Sequence, residues 1–218
     1  MKTIAVVDYG MGNLRSVVKA VEHVADGKTR VLLTSDAKTV ESAHGIVFPG
    51  QGAARDCMRS LREHQLIDAL SAAAENKPFL GICMGLQVLL SYSRENNGTE
   101  CLDILPGEVE YFGDRPEFAP GFAQGSYKIP HMGWNQVEQR QTHPLWEGIP
   151  DNSRFYFVHS YYVNPHDKSF VMGATEYGLV FTSAVGRENL FAVQFHPEKS
   201  AINGLRLLRN FVNWNGMS

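Results

Sequence analysis

The chain has 218 residues, 44% hydrophobic and 20% charged, with a formal net charge of −3. At about 150 residues per domain, this length fits one large or two small domains, enough to bury a substantial core. The near-balanced, scattered charge excludes the basic footprint of a nucleic-acid binder and the polybasic patch of a protein held on anionic membranes.

The opening stretch MKTIAVVDY is charged too soon for a signal peptide. No run approaches the roughly 18 apolar residues of a membrane span. The three cysteines, Cys57, Cys83 and Cys101, are odd in number and lack CxxC spacing. Free thiols in a reducing cytoplasm are therefore expected.

In chain order, residues 3–9 predict a buried strand, followed by a glycine turn and a helix over 13–25. Short apolar runs at 29–34 and 45–50 are of the kind found in sheets covered on both faces. A helical segment fills 53–75. Residues 77–83 form another strand, which leads into an apolar helix, MGLQVLLSYS, from Met84. Strands alternating with helices imply a mostly parallel sheet with helices on both faces.

From residue 96 to 130 Gly, Pro and polar residues dominate, with one strand candidate at 108–112. Alternating strands follow at 133–139, 154–163, 170–177, 179–186 and 190–195, several as antiparallel hairpins, with Gly186–Asn189 the clearest turn. A last helix covers about 200–214. Without repeats or linkers, residues 1–218 read as one α/β domain.

The strongest local motif is GICMG, Gly81–Gly85, at a strand-to-helix junction. It has the G-x-nucleophile-x-G form, with Cys83 at the elbow. Glycines two residues away let neighbouring segments approach, and a helix starting behind Cys83 would stabilise a thiolate. The alternative is a buried structural cysteine beside a glycine turn, which the strand before and the helix after Cys83 make the lesser reading.

A thiolate needs a proton donor for its leaving group. Of eight histidines, His23 and His64 fall on helical faces, His143 and His166 adjoin prolines or turns, and His159 is a rival within a strand. A lone His-Pro pair is ordinarily a strand end. His196-Pro197-Glu198, however, keeps His196 extended, and residues i and i+2 of an extended chain project to one side. Glu198 could then orient the His196 ring, as in a triad. Both Cys83 and His196 fall at strand carboxyl ends, where open α/β sheets gather their sites. FPGQG, Phe48–Gly52, is a glycine turn whose exposed N–H groups could serve an oxyanion or simply form a loop. The histidines and cysteines show no metal-ligand spacing, no nucleotide-binding glycine motif is present, and no cofactor is expected.

GICMGLQ, FHPE and PGQG together resemble the triad, or class I, glutamine amidotransferases. DYGMGNLRSV (8–17), PHMGWN (130–135) and HSYY (159–162) narrow the resemblance to the glutaminase subunits of imidazole glycerol phosphate synthases. The resemblance covers nearly the whole chain; residues 113–128 lie outside it. It implies a flavodoxin-like α/β fold that hydrolyses glutamine and delivers ammonia to a separate cyclase subunit, a (β/α)8 barrel, in a heterodimer.

Carried over, Cys83 resembles the nucleophile, His196 the general acid/base and Glu198 its orienter. Gly50 and Gln51 resemble the oxyanion turn, with the Met84 amide as second donor. Gly52, Gln87, Ser160 and Tyr161 resemble glutamine contacts. Met132, Gly133 and Trp134 resemble the partner-facing edge, and so does Asn13, which could equally cap its helix.

Rival readings remain. A glutaminase serving anthranilate or pyridoxal phosphate synthesis would lack PHMGWN, and a non-catalytic subunit would have lost the nucleophile or the histidine. A cysteine peptidase or γ-glutamyl hydrolase would not explain the partner-like segments.

Overall fold

The computed structural model describes every residue except 117–119, 122–124, 126 and 218. The unassigned segment 113–128 therefore lies partly outside the described residues. The chain opens with β1 (Lys2–Val7), α1 (Leu14–Val24), β2 (Thr29–Thr34), α2 (Ala37–Ser42), β3 (Gly45–Gly50), α3 (Ala54–Glu63), α4 (Ile67–Asn76), β4 (Phe79–Cys83) and the single-turn α5 (Met84–Gln87). There follow β5 (Leu90–Ser93), β6 (Thr99–Glu100), β7 (Leu105–Tyr111), β8 (His131–Gln139), β9 (Ser153–His159) and β10 (Tyr161–Pro165). The chain closes with β11 (Val171–Glu176), β12 (Val180–Arg187), β13 (Leu190–Val193) and α6 (Ala201–Asn213).

The main path through the sheet runs β2-β1-β3-β4-β13-β12-β10-β7-β5-β6. From β2 to β13 the strands are parallel. Antiparallel strands extend this centre through β12, β10 and β7, and β11, β8 and β9 branch from β12.

Alternation along β1 explains the layers. Ile4 and Val6 pack with Val17, Val21 and Val24 of α1 and with Leu207, Leu208 and Phe211 of α6. Ala5 and Val7 pack on the other face, with Met58 and Leu61 of α3 and Leu70 of α4. A strand covered on both sides must be apolar at every position, hence the unbroken runs in the sequence. On α1 the valines recur at the i, i+4, i+7 spacing of one helical face.

Three expectations need correction. MGLQVLLSYS is not one helix: it turns once and enters β5, which pairs with β7 and β6. The run is apolar on every side, so no periodicity distinguishes buried helix from buried strand, and pairing decides. The 53–75 segment breaks into α3 and α4 at Gln65, whose φ of +55° ends a right-handed helix. The 154–163 strand divides at Ser160 because its halves serve different partners, β9 pairing with β8 and β10 with β7 and β12.

Candidate active site

Cys83 closes β4 with φ +57° and ψ −109°, a conformation that a residue with a Cβ rarely adopts. The elbow is possible only because its flanks are bare. A Cβ on Gly85 would collide with the Phe48 carbonyl, and one on Gly81 would come within 2.9 Å of the Ala192 Cβ. Since α5 is a single turn, little macrodipole can build up behind the sulfur. The helix support expected for the sulfur is therefore small.

His196 lines the same cavity as Cys83. It follows β13, the neighbour of β4, and its backbone N–H donates to the Tyr156 carbonyl at 2.9 Å. Glu198 lies in a short 3-10 turn, Pro197–Lys199, rather than in extended chain. That turn still brings its carboxylate to the ring, with Nδ1 of His196 2.8 Å from Glu198 Oε1. Both side chains are buried. Burial disfavours a charged imidazole, but the Cys83 sulfur and Glu198 override it and raise the His196 pKa to about 10. The other ring nitrogen, Nε2, has no hydrogen-bond partner among the described residues.

These groups meet in a cavity of about 450 Å³ lined by Gln51, Gly52, Cys83, Met84, Gln87, Ser160, Tyr161 and His196. Gly50 lies just behind it. In register with Cys83, it lines a smaller cavity shared with Glu198 and Asn13. Gly52 has a φ of +87°, so the turn after β3 depends on a residue free to enter left-handed space. Asn13 is exposed at the head of α1 but makes no side-chain cap bond. Its capping role is therefore not realised. A more open groove of about 900 Å³ beside β10, β11 and β12 contains none of the expected site residues.

The rival His159 also borders the cavity, but it belongs to a different network. Its Nδ1 donates to the Tyr161 carbonyl at 2.8 Å, so its Nε2 accepts from His131 Nδ1 at 2.9 Å. His131 Nε2 in turn faces the Asn135 amide at 3.3 Å. Burial lowers the pKa of His131 to about 4 and that of His159 to about 3, where the His131 ring adds to the effect. Both rings are neutral near pH 7. On the same strand, β8, Met132 and Trp134 point outward, 61% and 49% exposed, with Gly133 between them. Burial raises the thiol pKa of Cys57 to about 12 and of Cys101 to about 11, leaving both thiols protonated.

Sequence reasoning missed three groups. Glu95 borders the cavity, half-buried, and accepts the Ala54 backbone N–H at 2.7 Å. Burial raises its pKa. Nothing in the polar stretch around it signals this. Lys199 also lines the cavity and directly follows the His-Pro-Glu motif. Gln194, two residues before His196, contacts the Cys83 sulfur; the alternation used for His196 could have found it.

Comparison with known proteins shows the family of the chain. Residues 5–214 match the family described as glutamine amidotransferase class-I. The chain is 56% identical over 217 residues to an imidazole glycerol phosphate synthase subunit HisH from Hydrogenovibrio crunogenus, covering 99% of this chain and 98% of that protein. It is 58% identical over 215 residues to the HisH subunit from Aromatoleum aromaticum, covering 98% and 99%. A crystal structure of a glutamine amidotransferase shares the fold, with a TM-score of 0.70 at 17% identity over 96% of this chain and 97% of that one. The chain thus belongs to the class I glutamine amidotransferases, within the branch of the HisH subunits of imidazole glycerol phosphate synthase.

Proposed function

We propose that this chain is the glutaminase subunit of an imidazole glycerol phosphate synthase, hydrolysing glutamine to glutamate and ammonia for histidine biosynthesis. The observation that carries the chemistry is the buried His196–Glu198 pair beside the Cys83 elbow. The Cys83 thiolate attacks the side-chain amide carbon of glutamine. The Met84 and Gln51 amides stabilise the tetrahedral oxyanion. The imidazolium of His196 protonates the departing ammonia, and Glu198 holds the ring in place. Water, deprotonated by the same ring, then cleaves the γ-glutamyl thioester.

Gln87, Ser160, Tyr161 and Gly52 hold the substrate, and the half-buried Glu95 carboxylate suits its α-ammonium group. Free ammonia is protonated in bulk water and loses its nucleophilicity, so it passes through a protected route into a (β/α)8 cyclase subunit. That partner covers the exposed Met132–Gly133–Trp134 strand and the Asn13 loop, forming a heterodimer that makes imidazole glycerol phosphate and aminoimidazole carboxamide ribotide. A reducing cytoplasm suits three free thiols.

In the assembled synthase, Cys83→Ala is expected to eliminate synthesis from glutamine while leaving synthesis from supplied ammonia. A glutamine-analogue electrophile should label Cys83 and spare Cys57 and Cys101; label on either of those would sink the assignment. The lone chain is expected to be nearly inactive. One repositioned oxyanion donor in the Gly50–Gly52 turn accounts for roughly a hundred- to thousandfold activation. Full turnover without the partner would refute this gating.

A further inference from the structure

Gln194 directly follows β13, its backbone N–H bonded to the Ser183 carbonyl at 2.9 Å. The next residue, Phe195, stacks on Phe155 with ring centroids 4.1 Å apart, deep in the aromatic core. Alternation therefore turns Gln194 and His196 to the opposite side, towards Cys83. The Gln194 side chain is fully buried. A primary amide so placed must have its dipole fixed by partners, and it does. Its oxygen accepts from Gln87 Nε2 at 3.1 Å, which leaves its own Nε2 facing the Cys83 sulfur at 3.7 Å. Gln87 is itself held, since its Nε2 also reaches the Tyr161 carbonyl at 3.1 Å.

We propose that Gln194 is a positioning residue of the glutaminase centre, donating an amide N–H to the Cys83 thiolate while Gln87 fixes the direction of that donor. This rests on the reading of Cys83 as nucleophile. A buried thiolate needs donors, and α5 is too short to provide the field of a longer helix. The imidazolium of His196 gives the sulfur a counter-charge, and Gln194 gives it a dipole from a second direction. Together they hold the sulfur from two directions and limit where it can swing.

The test uses the purified full chain and iodoacetamide near neutral pH, reading carbamidomethylation of the Cys83 peptide by mass spectrometry. Gln194→Met keeps the length and burial of the side chain and removes the donor. It is expected to slow Cys83 alkylation by about three- to tenfold, the worth of one hydrogen bond. The ultraviolet absorbance of the thiolate should fall in parallel. Gln194→Glu, which sets a carboxylate against the sulfur, should slow alkylation further. In the assembled synthase kcat should fall more than KM rises, since Gln87 retains the Tyr161 carbonyl. Alkylation of both variants at the wild-type rate would overturn the proposal. Should Gln194→Met fail to fold, Gln87→Met, which frees the Gln194 amide to turn, carries the test: a smaller loss in the same direction supports the proposal, and an unchanged rate overturns it. Glutamine hydrolysis that survives Cys83→Ala would instead refute the nucleophile reading beneath it.

Discussion

The His131–His159 pair and the His196–Glu198 pair each bring a ring to the same cavity, and they resolve the cost of burial in opposite ways. His131, His159 and His196 are 3%, 6% and 2% exposed, so burial alone cannot distinguish them. The first two are bonded to each other, to an amide and to a backbone carbonyl, and an added proton on either would find no acceptor. His131 also stacks on Tyr177 and Phe157 at 4.0 and 4.9 Å between centroids, within an aromatic wall. His196 faces a carboxylate and a sulfur, and takes on charge despite the same loss of water. The partner, not the depth, decides which imidazole can do acid–base work.

The largest expected effect would break this comparison outright. His196→Ala should lower kcat/KM for glutamine by about 10²- to 10⁴-fold, the usual worth of a general acid–base. His159→Gln, which removes a ring of fixed neutral state, should stay within about tenfold of wild type. Glu198→Gln should fall between them, because it weakens a ring that can still move a proton. Equal losses at His159 and His196 would show the wrong imidazole has been chosen. A Glu198 variant with unchanged turnover would remove that carboxylate from the site.

A smaller effect sharpens the comparison through stability. His131, His143 and His159 have folded-state pKa values lowered by burial from 6.5 to about 4, 4 and 3. Their contribution is present above pH 6.5 and is lost as pH falls towards 4, at up to about 1.4 kcal/mol per pH unit for each ring. His196 behaves in reverse. Its pKa is raised from 6.5 to about 10, so its contribution is full below pH 6.5 and is lost as pH rises through 10. Tm measured against pH should therefore peak near 6.5. Glu198→Gln should flatten only the alkaline limb, and His159→Gln only the acid limb. A variant that flattens the other limb would contradict the assigned charges.

The parallel centre and the strand ends at the candidate site were legible because they rest on local rules. β3 begins and ends where its apolar run does, since a doubly covered strand has no polar position to blur its limits. β2 keeps the expected limits, but it is the edge strand and none of its residues is buried, so it is not covered on both faces as its run suggested. The Cys83 elbow was legible because only glycine can stand two residues either side of it; the His196–Glu198 contact was expected from an extended chain, but a 3-10 turn makes it. What stayed hidden depends on residues far apart in sequence. The start of β5 is set by pairing with β7, which begins at Leu105, and Glu95 reaches the cavity because it caps the Ala54 end of α3 from 41 residues away. Gln194 was hidden differently: its polarity within an apolar run was visible, but the amide's direction is set by Gln87, 107 residues earlier. The exposed Met132 and Trp134 pair was noted only through resemblance; alternation alone could not say which face of β8 would remain open.

The backbone at Cys83 sets fitness against durability. A non-glycine residue held at φ +57° and ψ −109° carries strain on the order of 1–3 kcal/mol, a sizeable share of the 5–15 kcal/mol that keeps a typical domain folded. Glycine would fit that bend at less expense, so a search for thermal robustness alone would drift towards replacing the residue proposed as the nucleophile. A strained position of the folded chain is thus the one that the proposed reaction could not give up, and the surrounding sheet must be sturdy enough to hold it there.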